Sequence, residues 1–143
     1  MKFEVRNIKK TDFSYVARLH FNEFKVIGGN VSDFEKSLKL CPYSFVAIKN
    51  SKIIGYLTAR VEGRELFLQW GVVEKKTRNQ GIGKALFLKA IEKAKKHKLK
   101  SIGLATRNRF KDALHLYIDL GFEVHGTTVQ VDGETMIWMR KEF

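Results

Sequence analysis

The sequence predicts an α+β protein: a mixed, mostly antiparallel seven-stranded sheet flanked by four helices. Three observations carry this. Apolar residues recur with period two in seven short runs and with helical period in four others, in the order β-α-α-β-β-β-α-β-α-β-β. The passage from Arg64–Val73 through a long helix to Ser101–Thr106 is a crossover, which makes those two strands parallel. Asp132-Gly133 joins the last two runs by the strongest short hairpin signal in the chain. At 143 residues the elements belong to a single domain spanning 1–143.

Each element has a local reason. Phe3 to Ile8 alternates and forms the first strand. Thr11 is placed to cap a helix whose apolar stripe is Phe13, Val16, Ala17, His20, Phe21 and Phe24, ending by Gly28-Gly29. Ser32-Asp33-Phe34-Glu35 has the form of a capping box, so a second helix runs to about Leu40 and closes at Cys41-Pro42. Tyr43 to Ile48, Lys52 to Val61 and Arg64 to Val73 are β-branched and aromatic runs separated by turn residues, an antiparallel meander. Gly81 to Lys98 is the longest helix, with Glu92 set to pair with Lys96. Lys111 to Leu120 is another, ended by Gly121. Phe122 to Val131 and Glu134 to Arg140 form the closing hairpin. No internal repeat, linker or low-complexity tract interrupts this order.

Composition narrows the function. Hydrophobic residues make up 44% of the chain, enough for a core, yet no run approaches the roughly 18 apolar residues of a membrane span. The first residues lack the apolar centre of a signal peptide, and Cys41 stands alone, which excludes an internal disulfide and a cysteine-based zinc cluster. A reducing cytoplasm is the expected compartment, with no membrane partner and no metal. The formal charge of +12 is concentrated: Lys75 to Lys111 holds thirteen basic residues against the single acid Glu92, so that segment carries the whole excess. The lysines after Lys89 fit the wet face of the long helix; the earlier ones point to an anionic ligand.

Chemistry gathers at Val72-Val73-Glu74-Lys75-Lys76-Thr77-Arg78-Asn79-Gln80-Gly81-Ile82-Gly83-Lys84-Ala85. A strand runs into a short loop, two glycines permit close backbone approach, and the N–H groups of an opening helix converge on one spot, a geometry that favours phosphate. A Walker A loop is excluded by Arg78 and Ala85, and a dinucleotide fingerprint by Leu86. Arg78-Asn79-Gln80-Gly81-Ile82-Gly83 does match the Arg/Gln-x-x-Gly-x-Gly/Ala signature of the GNAT superfamily of N-acetyltransferases. Ala113-Leu114-His115-Leu116-Tyr117-Ile118-Asp119-Leu120-Gly121-Phe122 is similar to that superfamily's later A-x-x-L-Y-x-x-x-G-F helix, and the element order is similar over nearly the whole chain. One departure stands out: Phe110 occupies the place where many members carry asparagine, with Asn108 as the candidate substitute.

The resemblance implies a GNAT-like acyl-CoA N-acyltransferase fold and acetyl-CoA as co-substrate. It places the pyrophosphate on backbone N–H groups of Arg78, Asn79, Gln80, Gly81, Ile82, Gly83 and Lys84, and the pantetheine arm along Trp70 to Val73, Val72 and Val73 included, with Asn108 beside it. A bulge there would turn an N–H, that of Val73, toward the thioester oxygen. Tyr117 is similar to the family tyrosine that protonates the leaving thiolate, and Glu65 to the base of some members. Gln69 shares Glu65's face by alternation and positions substrate or water. His20 borders the acceptor cleft, as the acceptor-side helix does in the family, or serves as a bonded core histidine. Glu23 is read as solvated surface, His97, His115 and His125 as surface, and Cys41 as a small apolar filler. The expected partner is a primary amine acceptor, chosen by the segment Val26 to Val31 and the last hairpin; the expected state is a monomer or homodimer. A basic nucleic-acid-binding module and a non-catalytic CoA-binding regulatory domain are the alternative readings. The first is disfavoured because only Phe87 and Phe110 are interleaved with the charges.

Overall fold

Strand β4, Glu65–Val73, runs through the middle of one seven-stranded sheet, in a computed structural model that describes residues 2–24 and 30–143. The other strands are β1 (Glu4–Asn7), β2 (Phe45–Lys49), β3 (Lys52–Glu62), β5 (Ser101–Arg107), β6 (Glu123–Val129) and β7 (Thr135–Glu142). Their order is β1-β2-β3-β4-β5-β7-β6. Every pairing is antiparallel except β4 with β5, as the crossover requires. Helices α1 (Phe13–Glu23) and α2 (Val31–Ser37) pack on one face; α3 (Ile82–Lys96) and α4 (Lys111–Asp119) pack on the other.

The two faces have separate cores. Ile82, Leu86, Phe87, Ala90, Ile91 and Ala94 of α3 lie against Leu66, Leu68, Ile102, Leu104 and Met139. Burial of each large apolar side chain contributes roughly 1.5–3 kcal/mol, so this helix is held by its stripe. Val16, Val46, Ile53, Tyr56 and Val72 form the second core beneath α1, joined by Phe24, Phe34 and Trp70. Strict alternation would send Leu66, Leu68, Trp70 and Val72 to one face. They divide between the two cores because β4 carries a bulge: Thr58 pairs with Trp70 and Ala59 with Leu68, leaving Gln69 as the extra residue. Thr58 makes the bulge tolerable by accepting the Trp70 N–H at 2.9 Å through Oγ1.

Local details differ from the sequence expectations at the helix starts. The first helix is entered not from a Thr11 cap but through a 3-10 turn, Lys10–Asp12. Asp12 organises that turn: its buried carboxylate accepts the Lys9 N–H at 2.7 Å and both Arg6 nitrogens at 2.7 and 2.9 Å. Burial alone would raise the Asp12 carboxyl; the Arg6 guanidinium and the Lys9 N–H together more than reverse this and hold it below the usual carboxylate range. Helix α1 gives out at Phe24, whose N–H bonds to His20 O at 2.9 Å; the expected stop at Gly28-Gly29 lies outside the described residues. For α2 the cap is Asn30, whose Oδ1 accepts the Asp33 N–H at 2.8 Å, in place of the Ser32 capping box. On α3, Glu92 approaches Lys89 at 4.0 Å rather than Lys96.

Replacing Asp12 with Ala removes the acceptor for the Lys9 N–H and the partner of Arg6 together. Loss of a cap with a charged hydrogen bond should cost about 2–3 kcal/mol. Urea unfolding of Asp12→Ala is expected to show a lower midpoint with an unchanged slope.

Candidate active site

Strands β4 and β5 pair only from Glu65–Leu68 against Ser101–Leu104. Beyond Leu68 and Leu104 both strands continue without each other, β4 to Val73 and β5 to Arg107, so a cleft opens inside the sheet. The Gln69 bulge stands where the ladder stops. On its other edge β4 stays bonded to β3: the Glu74 N–H reaches Ile54 O at 2.7 Å. Antiparallel alternation then turns the N–H groups of Val73 and Gly71 away from β3 and into the cleft.

The loop after β4 ends the cleft. A 3-10 turn, Lys75–Thr77, is followed by Asn79 and Gly81 in the left-handed region, with φ of 64° and 82°. Asparagine tolerates that conformation and glycine adopts it freely. The first bond of α3 runs from the Ala85 N–H to Gly81 O at 3.0 Å, and the backbone N–H groups of residues 79–84 have no protein acceptor among the described residues. Unpaired N–H groups at the start of a fifteen-residue helix form a concave anion site. At Gly83 an added Cβ would touch Val73 Cγ2 and Leu116 Cδ2 at 3.8 Å each. Gly83 thus brings the start of α3 close to both Val73 of β4 and Leu116 of α4. Lys84 is exposed beside the loop.

Arg78 braces this loop. Its Nε donates to Val73 O at 2.9 Å and its Nη2 to Glu23 Oε1 at 2.6 Å. Glu23 is exposed, as the sequence suggested, and it also ties the end of α1 to the loop.

Tyr117 lies alongside the first turns of α3, with ring centroids 5.1 Å from Phe87 and 6.1 Å from Phe122. Its hydroxyl has no protein partner among the described residues, and burial pushes its pKa up to about 12, so it is protonated at neutral pH. The structure thus sets Val73 and the 79–84 loop around one cleft, with Tyr117 of α4 packed on Phe87 of α3. It does not bring Glu65 there. A rise of about 3.3 Å per residue along β4 puts Glu65 roughly 26 Å from Val73. Its carboxylate is taken up by Arg140 Nε at 2.8 Å and Ser101 Oγ at 3.1 Å, lying over Gly103, where a Cβ would fall 2.7 Å from it. Glu65 belongs to the paired end of the ladder, and the expectation of a base there is corrected.

The remaining candidates divide in the same way. Asn108 is exposed at the turn after β5, with its N–H on Thr135 O at 3.0 Å, and Phe110 is the N-cap of α4 under the Arg109 guanidinium. Gln69 is exposed on the acceptor side, its Oε1 3.7 Å from the buried Cys41 sulfur. His97, His115 and His125 are exposed. His20 is buried and bonded to Tyr56. Among the segment Val26 to Val31, residues 26–29 lie outside the described residues. Thr58 and Tyr56 have no local sequence signal; only strand pairing reveals them.

Comparisons with known proteins agree with this geometry. The family model described as "Acetyltransferase (GNAT) family" matches residues 6–122. No curated protein matches the sequence. Among solved structures, the chain is similar to the NatC complex bound to Gag peptide and CoA, with 18% identity, 100% of this chain and 99% of that chain covered, and a TM-score of 0.89. It is also similar to the ribosomal-protein-S18-alanine N-acetyltransferase from Escherichia coli, with 22% identity, 99% and 94% covered, and a TM-score of 0.83. A third is the PaiA N-acetyltransferase from Thermoplasma acidophilum in complex with coenzyme A, with 18% identity, 100% of both chains covered, and a TM-score of 0.77. These likenesses show the fold.

The two loop glycines should respond differently to a methyl group. Gly81→Ala meets no atom within 4 Å but keeps a φ of 82°, so it should cost about 1 kcal/mol. Gly83→Ala makes only ordinary contacts within a helix and should be neutral or slightly stabilising. Thermal melting of the ligand-free variants checks both.

Proposed function

Because the chain belongs to the acetyltransferase (GNAT) family, we propose that it transfers an acetyl group from acetyl-CoA to the amino terminus of a peptide or protein. The observation that carries the donor half is the run of unpaired N–H groups at 79–84 beside the outward N–H of Val73. In this reading the backbone N–H groups of Asn79, Gln80, Gly81, Ile82, Gly83 and Lys84 hold the pyrophosphate, and Arg78, whose N–H donates to Lys75 O and whose side chain is bonded to Val73 and Glu23, braces them. Val72 and Val73 lie along the pantetheine arm, and Asn108 faces it from the end of β5. Acetyl-CoA supplies an activated thioester; no metal is called on.

The acceptor enters from the α1 and α2 face. Its uncharged amine attacks the thioester carbonyl as the C–N bond forms, and the Val73 N–H stabilises the oxygen on which charge builds. The C–S bond then breaks and its electron pair goes to sulfur. Tyr117 offers its hydroxyl hydrogen to that sulfur. With the phenol near 12 and an ordinary thiol near 8.5, full transfer is uphill by roughly 3–4 pK units. The hydroxyl therefore works mainly as a hydrogen bond to the forming thiolate, and solvent completes the protonation. The nitrogen gives up its proton to water.

Two arguments favour a peptide amino terminus. The NatC structure holds a peptide, and the Escherichia coli enzyme is named for a ribosomal-protein alanine. An α-amine with a pKa of about 7.7–8.0 is partly uncharged at neutral pH, whereas a lysine amine near 10.4 is almost wholly charged and asks more of a base. With Glu65 at the far end of β4 and Glu23 held by Arg78, the less demanding amine suits this site.

Acetyl-CoA should raise the melting temperature in proportion to its concentration, with stabilisation of about 2.7 kcal/mol at a hundred times Kd. Gly83→Val should abolish most of that shift while its circular dichroism spectrum stays native; calorimetry that finds equal affinity in the folded variant would place the phosphates elsewhere. Tyr117→Phe keeps the ring against Phe87, so acetyl-CoA affinity should hold while kcat falls about 10- to 100-fold, toward the low end of proton-transfer effects. Overlaying pH profiles for the two proteins with one peptide acceptor would remove Tyr117 from the chemistry.

A further inference from the structure

His20 and Tyr56 are polar groups buried in the core beneath α1 whose chemistry the mechanism above leaves unused. His20 sits in the last turn of α1, only 4% exposed, stacked on Phe34 at 3.7 Å with an interplanar angle of 9°. Its edge meets Trp70 of β4 at 4.9 Å, and Phe24 lies 5.0 Å away. Three residues on, Glu23 ties the same helix turn to Arg78 and through it to Val73 O. His20 therefore packs against Trp70, the residue of β4 that follows the bulge where the cleft opens.

Its partner decides its state. His20 Nδ1 lies 2.6 Å from the hydroxyl of Tyr56, and Tyr56 is 0% exposed. Among the described residues that hydroxyl has no other partner. A buried O–H with a single neighbour gives its hydrogen to that neighbour, since the reverse arrangement would strand the hydroxyl hydrogen. Tyr56 thus donates to Nδ1, which must then carry a lone pair. Burial keeps the ring uncharged, with its pKa lowered to about 4, so the one ring hydrogen sits on Nε2. Nε2 has no acceptor among the described residues, and no fully buried side-chain nitrogen among them lacks one, so this N–H lies at the edge of the aromatic cluster.

We propose that His20, fixed by Tyr56 as the neutral Nε2–H tautomer, is an acceptor-recognition residue that donates a hydrogen bond to the first carbonyl oxygen of the peptide being acetylated. The assignment rests on the peptide-acetyltransferase reading above. It makes His20 a donor and denies it the role of base: Nδ1 is occupied, and Nε2 already carries its hydrogen. The surrounding rings of Phe24, Phe34 and Trp70 exclude water, which strengthens a single well-aimed hydrogen bond.

Imidazole 15N NMR of the ligand-free full chain reads the tautomer directly, with His20→Phe assigning the signal. A proton on Nε2, unchanged from pH 5.5 to 8, is expected; an Nδ1–H tautomer or protonation in that range overturns the proposal. Steady-state assays at saturating acetyl-CoA, with peptides beginning in Ala, Ser and Met as acceptors, test the recognition. His20→Phe retains the stack but no N–H, and should raise acceptor KM about tenfold with kcat and its pH profile unmoved. His20→Gln, which restores an N–H at similar reach, should recover most of that loss. An unmoved KM in His20→Phe reduces the ring to packing, and a kcat that falls with a shifted pH profile makes it the base; either result overturns the proposal. If the wild-type protein binds acetyl-CoA yet acetylates no peptide, the peptide reading fails and the recognition role with it, while the NMR result still decides the tautomer.

Discussion

One extra residue in β4 governs the layout of this protein. Were Gln69 paired as an ordinary strand residue, alternation would direct Leu66, Leu68, Trp70 and Val72 all to the α3 face and take Trp70 and Val72 out of the core beneath α1. As it is, the strand serves one core before the bulge and the other after it. The same irregularity marks the last paired position with β5, so the switch of faces and the opening of the sheet coincide. The energetic cost is contained locally, because Thr58 supplies a side-chain acceptor where the ladder loses register. Backbone polar groups left over on the cleft side are the ones a ligand can use.

Around that opening the chain uses ordinary side chains as braces. Arg78 links Val73, the phosphate-type loop and Glu23, so the last turn of α1 and the end of β4 keep a fixed relation. Exposed ion pairs contribute little to overall stability; the value of this one lies in geometry. A comparable cluster holds the far hairpin, where Arg107 bonds Asp132 at 2.6 Å and Arg109 bonds Glu134 at 2.8 Å. These arginines belong to the segment whose excess charge first suggested an anion, and pairing inside the protein removes part of that excess from the surface. Among the described residues, what stays without an ion pair near the loop is Lys75, Lys76 and Lys84, together with the backbone itself.

The sequence made the seven strands, the four helices and the crossover legible because each rests on short-range periodicity. The turn into α3 is legible because glycine placement is a backbone requirement, and α4 because its helix carries a recurrent pattern. The failures share a cause as well. The setting of Glu65 is not visible from its neighbours in sequence, because Arg140, the partner that defines it, comes from a distant segment, and the tie of exposed Glu23 to Arg78 spans a similar gap. The caps at Asp12 and Asn30 were missed because several capping residues stand close together, and only the path of the backbone selects among them. The pairing of His20 with Tyr56 spans 36 positions and two element types, beyond any local pattern.

The brevity of the parallel ladder also shapes the sheet as a whole. Strands β1 to β4 form one half-sheet and β5 to β7 the other, and the backbone bonds joining them among the described residues are confined to residues 64–68 and 100–104. The sheet is therefore sewn at one end, where Arg140 clamps Glu65 beside Ser101, and slit at the other, where β4 and β5 run on to Val73 and Arg107 without a shared ladder. Such a slit presents two facing strand edges, a shape that suits something long and thin.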